Sequence, residues 1–339
     1  MIFRARRARS CRSLLETKKV PLFPWGFVAA FVKFFLLDWP YVCMTISRIL
    51  LPTDGSPLAR QALHHARFLA TRFRVPLHVV HVHDTPNDFS RAIDIRAANV
   101  MDDLEIPWNG APPDTLNIIE HAITAPSVGE GLVTYAKKHG IDLVVMGTHG
   151  RQGIQHMLMG SVAEHVVRHA PCPVFTIHHQ VQTEPGASIN HVLVPIDFSR
   201  HTHRVVQAAT TLTREYQAQI TLMHVLESVA LPSAYGIEPQ VTDTSLVRSR
   251  VSDRLSQEVN YLKDQGLDAS SRIRSGHPAS EILTVAETTD IDLIAIGTAG
   301  RTGLSRFLMG SVAEKVVRQA PCPVLSVRAL PQDDQPSDV

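Results

Sequence analysis

Short apolar runs alternate with stretches of helical period along most of the chain. In residues 44–178 the pattern predicts strands at 48–52, 77–82, 116–120, 142–146 and 173–177. Ser56-Pro57 marks a helix start, because proline suits the first helical turn, and Ala62, Ala66, Leu69 and Ala70 then keep one helical face. Residues 132–138 and 161–169 read as further helices. Short, wholly apolar strands separated by helices predict a parallel sheet covered on both faces, and right-handed crossovers make it doubly wound α/β.

The order then repeats. Residues 147–177 and 297–327 align without a gap, with 20 of 31 positions identical. Ile49 to Ser56 matches Val192 to Ser199, and Leu77 to Val82 matches Ile220 to Val225. A collinear series of this kind means a tandem duplication. The reading divides the chain into an extension (1–43), a first domain (44–178), a linker (179–190), a second domain (191–328) and a tail (329–339). Each domain ends in an apolar strand with an open edge. An edge of that kind favours pairing, so the two domains are expected to pack as an intramolecular pseudo-dimer. Pairing with another chain, giving a homo-oligomer, is the alternative. In the second half Leu246, Val247, Val251, Leu255, Val259 and Leu262 predict a long amphipathic helix.

Residues 1–43 differ from the rest. Arg4, Arg6, Arg7, Arg9, Arg12, Lys18, Lys19 and Lys33 oppose only Glu16 and Asp38. The apolar run from Pro21 to Cys43 is long enough to span a bilayer, but Lys33 and Asp38 interrupt it. The preferred reading takes Met44 as the true start, with residues 1–43 a start-site artefact or a loosely ordered extension, and a basic membrane anchor is the alternative.

Composition narrows the function. A net charge of +1 argues against a surface built for nucleic acid. Four cysteines without a CxxC pair exclude a disulfide scaffold and a zinc ribbon, and fit the cytoplasm.

The chemical signal follows the fourth strand of each half. Gly147, Gly150 and Gly160-Ser161 recur as Gly297, Gly300 and Gly310-Ser311 with the same spacing. Glycines at a strand's carboxyl end let backbone approach a ligand, and Gly-Ser at a helix start turns free amides toward one point suited to phosphate. Asp54 and Asp197 end the first strands and face the same crevice, where a carboxylate suits a ribose hydroxyl or Mg2+. The competing reading is structural: Ser161 with Glu164, and Ser311 with Glu314, match a capping box, and the glycines then serve tight turns.

These residues resemble the universal stress protein family in a tandem, two-domain form, over about residues 45–328. The carrying motif is G-x2-G-x9-G-[ST], complete in both halves, with the strand-one aspartate and the repeated Ala-Pro-Cys-Pro-Val segments. The resemblance implies two five-stranded parallel sheets of order 3-2-1-4-5, and ATP or a related adenine nucleotide in the crevice. By position, Pro52, Thr53 and Asp54 would line the first site, Val82 would touch adenine, and Met146, Gly147, Gly150, Gly160, Ser161 and Val162 would surround ribose and phosphates. In the second half the same roles fall to Pro195, Ile196, Asp197, Val225, Ile296, Gly297, Gly300, Gly310, Ser311 and Val312. Phe198 replaces Gly55, so a narrower second crevice is expected.

His78, His81 and His83 share a strand, but a metal site lacks identifiable partners, and hydrogen-bonded histidines are expected instead. Cys172 and Cys322 read as buried thiols. No catalytic residue is assigned. Three functions follow: a nucleotide-loaded stress-response regulator, a slow ATPase or phosphoryl-transfer protein, and an interaction module that needs no nucleotide.

Overall fold

The computed structural model describes residues 44–84, 96–97, 116–148, 159–178, 188–199, 201–227, 244–298 and 309–328, all within one compact unit, Val42–Val339. The first half runs β1 (Ile49–Pro52), α1 (Pro57–Phe73), β2 (Leu77–Asp84), β3 (Arg96–Ala97), β4 (Ile118–Ala125), α2 (Val128–His139), β5 (Leu143–Gly147), α3 (Ser161–His169) and β6 (Val174–Ile177). The second runs β7 (His191–Pro195), α4 (Thr202–Tyr216), β8 (Gln219–Leu226), α5 (Thr244–Asp264), β9 (Ala269–Ser275), α6 (Pro278–Thr288), β10 (Leu293–Gly297), α7 (Ser311–Gln319) and β11 (Val324–Val327).

The strands form one sheet of order β3-β4-β2-β1-β5-β6-β11-β10-β7-β8-β9. Within each half the five main strands are parallel in the order 3-2-1-4-5, and the halves meet where β6 and β11 pair antiparallel, Phe175 opposite Leu325. The two sheets of the sequence reading are therefore one. Each fifth strand supplies the partner that the other's open backbone edge needs, and Thr176 Oγ1 adds a hydrogen bond to the Val324 carbonyl at 3.2 Å. β1, β5, β6, β10 and β11 carry no strongly exposed residue, as expected of strands covered on both faces. One core continues across the junction, from Val144, Val166 and Val174 to Val316, Val317 and Val324.

Three local readings are corrected. The third strand runs over Ile118–Ala125 rather than 116–120, because His121 breaks the apolar run without breaking the pairing with β2. β3, two residues added antiparallel to β4, was not anticipated. α5 forms where expected, but only Leu255, Val259 and Leu262 are buried; Leu246 and Val247 in its first turn are exposed, and α5 covers the sheet with its C-terminal half alone.

Candidate nucleotide site

The assigned residues that the structure describes gather at the carboxyl ends of β1, β2 and β5 in the first half, and of β7, β8 and β10 in the second. Pro52, Thr53, Val82 and Met146 are buried, Asp54 and Gly147 half-buried, and Ser161 exposed. Their counterparts follow the same plan: Ile196, Val225 and Ile296 buried, Pro195, Asp197 and Gly297 half-buried, Ser311 exposed. Gly150 and Gly300 lie outside the described residues. In each half the first strand sits between the second and the fourth, so the crevice lies at the topological switch point where doubly wound sheets bind ligands.

The capping-box reading does not hold. α3 and α7 are capped by Gly160 and Gly310, extended at φ −76° and −62°, and no side chain caps either helix. Ser161 and Ser311 are the first helical residues, one position too late for a cap. The first-turn amides of a helix have no acceptor within it, and here an exposed hydroxyl stands among them. Gly160 N donates to the Thr148 carbonyl at 2.7 Å and Gly310 N to the Thr298 carbonyl at 2.9 Å, tying each helix start to the end of its β5 or β10 strand.

The aspartates hold turns. Asp54 Oδ1 accepts from Ser56 N at 3.0 Å; Asp197 Oδ1 accepts from Ser199 N and Thr202 Oγ1, both at 2.9 Å. Gly147 has a packing reason of its own, since a Cβ there would come within 2.7 Å of Leu58 Cβ. After each aspartate the chain turns left-handed, at Gly55 (φ 75°) and at Phe198 (φ 58°). The Phe198 ring lies 4.7 Å from that of His224, and the Arg254 guanidinium stands over it at 4.5 Å.

Two features here go beyond the sequence reading, which expected hydrogen-bonded histidines without naming their acceptors and singled out no glycine of α2. His81 Nδ1 donates to the Thr53 carbonyl, and His224 Nδ1 to the Ile196 carbonyl, each at 2.8 Å. These two bonds anchor the backbone just before each aspartate, and the repeat of His-Val-Val-His-Val (78–82) as Thr-Leu-Met-His-Val (221–225) is their trace in the sequence. Gly131, in the first turn of α2, packs where a Cβ would meet Ala125 at 2.8 Å and Val82 at 3.1 Å. Its counterpart is Glu281, paired with Arg274 at 2.9 Å. The matching positions in the first turns of α2 and α6 therefore differ: small and packed against Val82 in one half, charged in the other.

Among the described residues no group of three histidines, cysteines or acids converges to hold a metal ion. Burial pushes the Cys172 and Cys322 thiols up to about 12, which keeps them protonated and unreactive. Among the described residues no helix is long and apolar enough to cross a membrane.

The sheet order and the duplicated crevice define a tandem α/β protein with the same switch-point crevice in each half. The sequence profile of the universal stress protein family matches residues 45–178 and again 188–328, and the chain belongs to that family. It is 33% identical over 156 residues to the universal stress protein YxiE of Bacillus subtilis, covering 41% of this chain and 99% of that one. To a universal stress protein of Methanocaldococcus jannaschii it is 31% identical over 140 residues, covering 40% and 81%. Among solved structures, a Pseudomonas aeruginosa chain superposes with a TM-score of 0.60 at 21% identity, covering 84% of this chain and 94% of that one. A universal stress protein from Archaeoglobus fulgidus gives 0.55 at 18%, covering 83% and 98%. At these identities the structural matches establish the fold.

Proposed function

We propose that the chain is an ATP-binding stress-response regulator of the cytoplasm, whose nucleotide-loaded state changes its protein partners. The observation that carries this is the placement of Ser161 and Ser311. Each is exposed at the first position of a helix, is not used as a cap, and follows a glycine N-cap that supplies no side-chain acceptor, at the switch-point crevice. A hydroxyl and free first-turn amides at the positive end of a helix suit phosphate oxygens.

The residues present fit the nucleotide. Gly160, Ser161 and Val162 would hold phosphates, with Gly150 on the same motif; Met146 and Gly147 would flank the ribose; Pro52, Thr53 and Asp54 would line the wall, with Val82 against adenine. In the second half these are Gly310, Ser311, Val312, Gly300, Ile296, Gly297, Pro195, Ile196, Asp197 and Val225. Asp54 Oδ1 and Asp197 Oδ1 are tied to local turns, which fixes both carboxylates at the crevice wall, where a ribose hydroxyl or a phosphate-bound Mg2+ would meet them. Bound ATP supplies a charge and shape signal; His81 and His224 keep the wall backbone in place for it. The first site, with Gly55 and Gly131, is expected to bind at least as tightly as the second.

Mass spectrometry of small molecules released from freshly purified protein tests the reading. Adenine nucleotide is the expected result, and its absence there and on titration with ATP would leave the interaction module. Turnover of ATP with Mg2+ would favour the ATPase.

A further inference from the structure

The helices that form the two cradles are joined by a closed ring of charges across the pseudo-twofold junction. Arg168 donates from Nε at 3.1 Å and Nη2 at 2.8 Å to Glu164 Oε1, on its own helix α3. Arg318 Nη2, on α7, reaches Glu164 Oε2 and its own Glu314 Oε1, both at 3.2 Å. Arg168 Nη2 completes the ring at 3.7 Å from Glu314 Oε2. Each arginine therefore serves one carboxylate of each half.

The ring's place matters more than its stability. Its members keep 20 to 40% side-chain exposure, and exposed pairs contribute little to folding. But Glu164 and Glu314 stand in the first turns of α3 and α7, three residues after Ser161 and Ser311. Helical side chains lean toward the helix N-terminus. Each carboxylate therefore belongs to the same helical turn as the amides that would meet phosphate, and a Debye length of about 8–10 Å leaves charges that near only partly screened. A triphosphate there would be repelled by it unless cations offset its charge.

We infer that Arg318 and Arg168 act in trans as positioning residues for nucleotide phosphates: each neutralises the carboxylate beside the other half's cradle, so that neither site reaches full affinity without the opposite half. This inference rests on the nucleotide reading above.

The test uses the full chain carrying Gly310→Val, which leaves the first site to be read alone. In that background Arg318→Gln is expected to weaken ATP binding roughly three- to tenfold, with less effect as salt rises. Adenosine, which has no phosphate, should bind unchanged by NMR titration, and Arg318→Lys should recover most of the loss. ATP affinity unchanged by Arg318→Gln, or equal losses for ATP and adenosine, would overturn the inference, the second outcome marking a purely structural effect. If the Gly310→Val parent itself binds no ATP while remaining folded, the nucleotide reading fails, and this inference with it.

Discussion

His78 Nδ1 lies 2.8 Å from the Tyr135 hydroxyl, inside a group of rings that also includes His121 and His139. His78 is 4% exposed, and one ring nitrogen of each of the three histidines is buried without a hydrogen-bond partner. Arg48 and Lys138 add positive charge nearby. Burial first, then His139, His121 and Arg48, lower the His78 pKa from 6.5 to about 4. His121 and His139 are lowered too, chiefly by burial. The unfolded chain therefore takes up protons below pH 6.5 that the folded chain refuses until about pH 4. Stability is fully present above pH 6.5 and falls as the pH drops through that window. By pH 5 His78 alone should cost on the order of 1 to 2 kcal/mol. In the second half Thr221, Arg272 and Thr289 occupy the matching positions. Hydrogen exchange at pH 7.5 and 5 should show the first half losing protection around β2, β4 and α2. Equal loss around β8, β9 and α6 would count against the histidine group as the cause.

A second histidine joins the halves. His65 on α1 shares a buried hydrogen bond of 2.9 Å with the Tyr216 hydroxyl on α4, and Phe68 stacks on Tyr216 at 4.6 Å. Tyr216→Phe removes the hydroxyl and leaves His65 Nδ1 buried, which should destabilise the protein by about 1 to 3 kcal/mol. In a urea-melt double-mutant cycle, adding Tyr216→Phe to His65→Ala should have a smaller effect than Tyr216→Phe alone. Strict additivity would mean that the bond carries no coupling.

Gly55 and Phe198 adopt the same left-handed turn, and only glycine does so without strain. Gly55→Ala should therefore lose about 1 to 2 kcal/mol in chemical denaturation. An unchanged midpoint would mean that the turn relaxes.

The repeat, the layer order and the crevice were legible because short apolar strands and repeated glycines are local signals. The strand-five junction was legible too, as two matching apolar strands that each left an open edge. What the sequence hid depends on register. The length of β4 is set by pairing with β2, not by its own apolarity. Whether Ser161 is a cap or a first helical residue turns on one position, which a matching capping-box pattern could not decide. Arg168 and Arg318 stand four residues after Glu164 and Glu314, a spacing that carries no sign of contact between the halves; the antiparallel β6–β11 pairing brings them across.

The described chain begins at Met44, whose backbone N–H donates to Thr211 Oγ1 at 3.1 Å, and Ile46 is buried two residues on. A truncated protein starting at Met44 keeps a donor there as its terminal amine. It is expected to be soluble and to bind ATP as the full chain does. Retention of the full chain, but not the truncated one, on carbonate-washed membranes would favour the anchor.

The central claim is most directly tested by ATP titration of the double variant Gly160→Val/Gly310→Val. Both glycines have extended backbone that any residue adopts, φ −76° and −62°, so valine places methyl groups at the cradle without forcing the chain into a forbidden conformation. Calorimetry on the folded variant should show ATP binding abolished at both sites, with the single variants each losing one. Undiminished ATP binding by the folded double variant would contradict the assignment of the cradles.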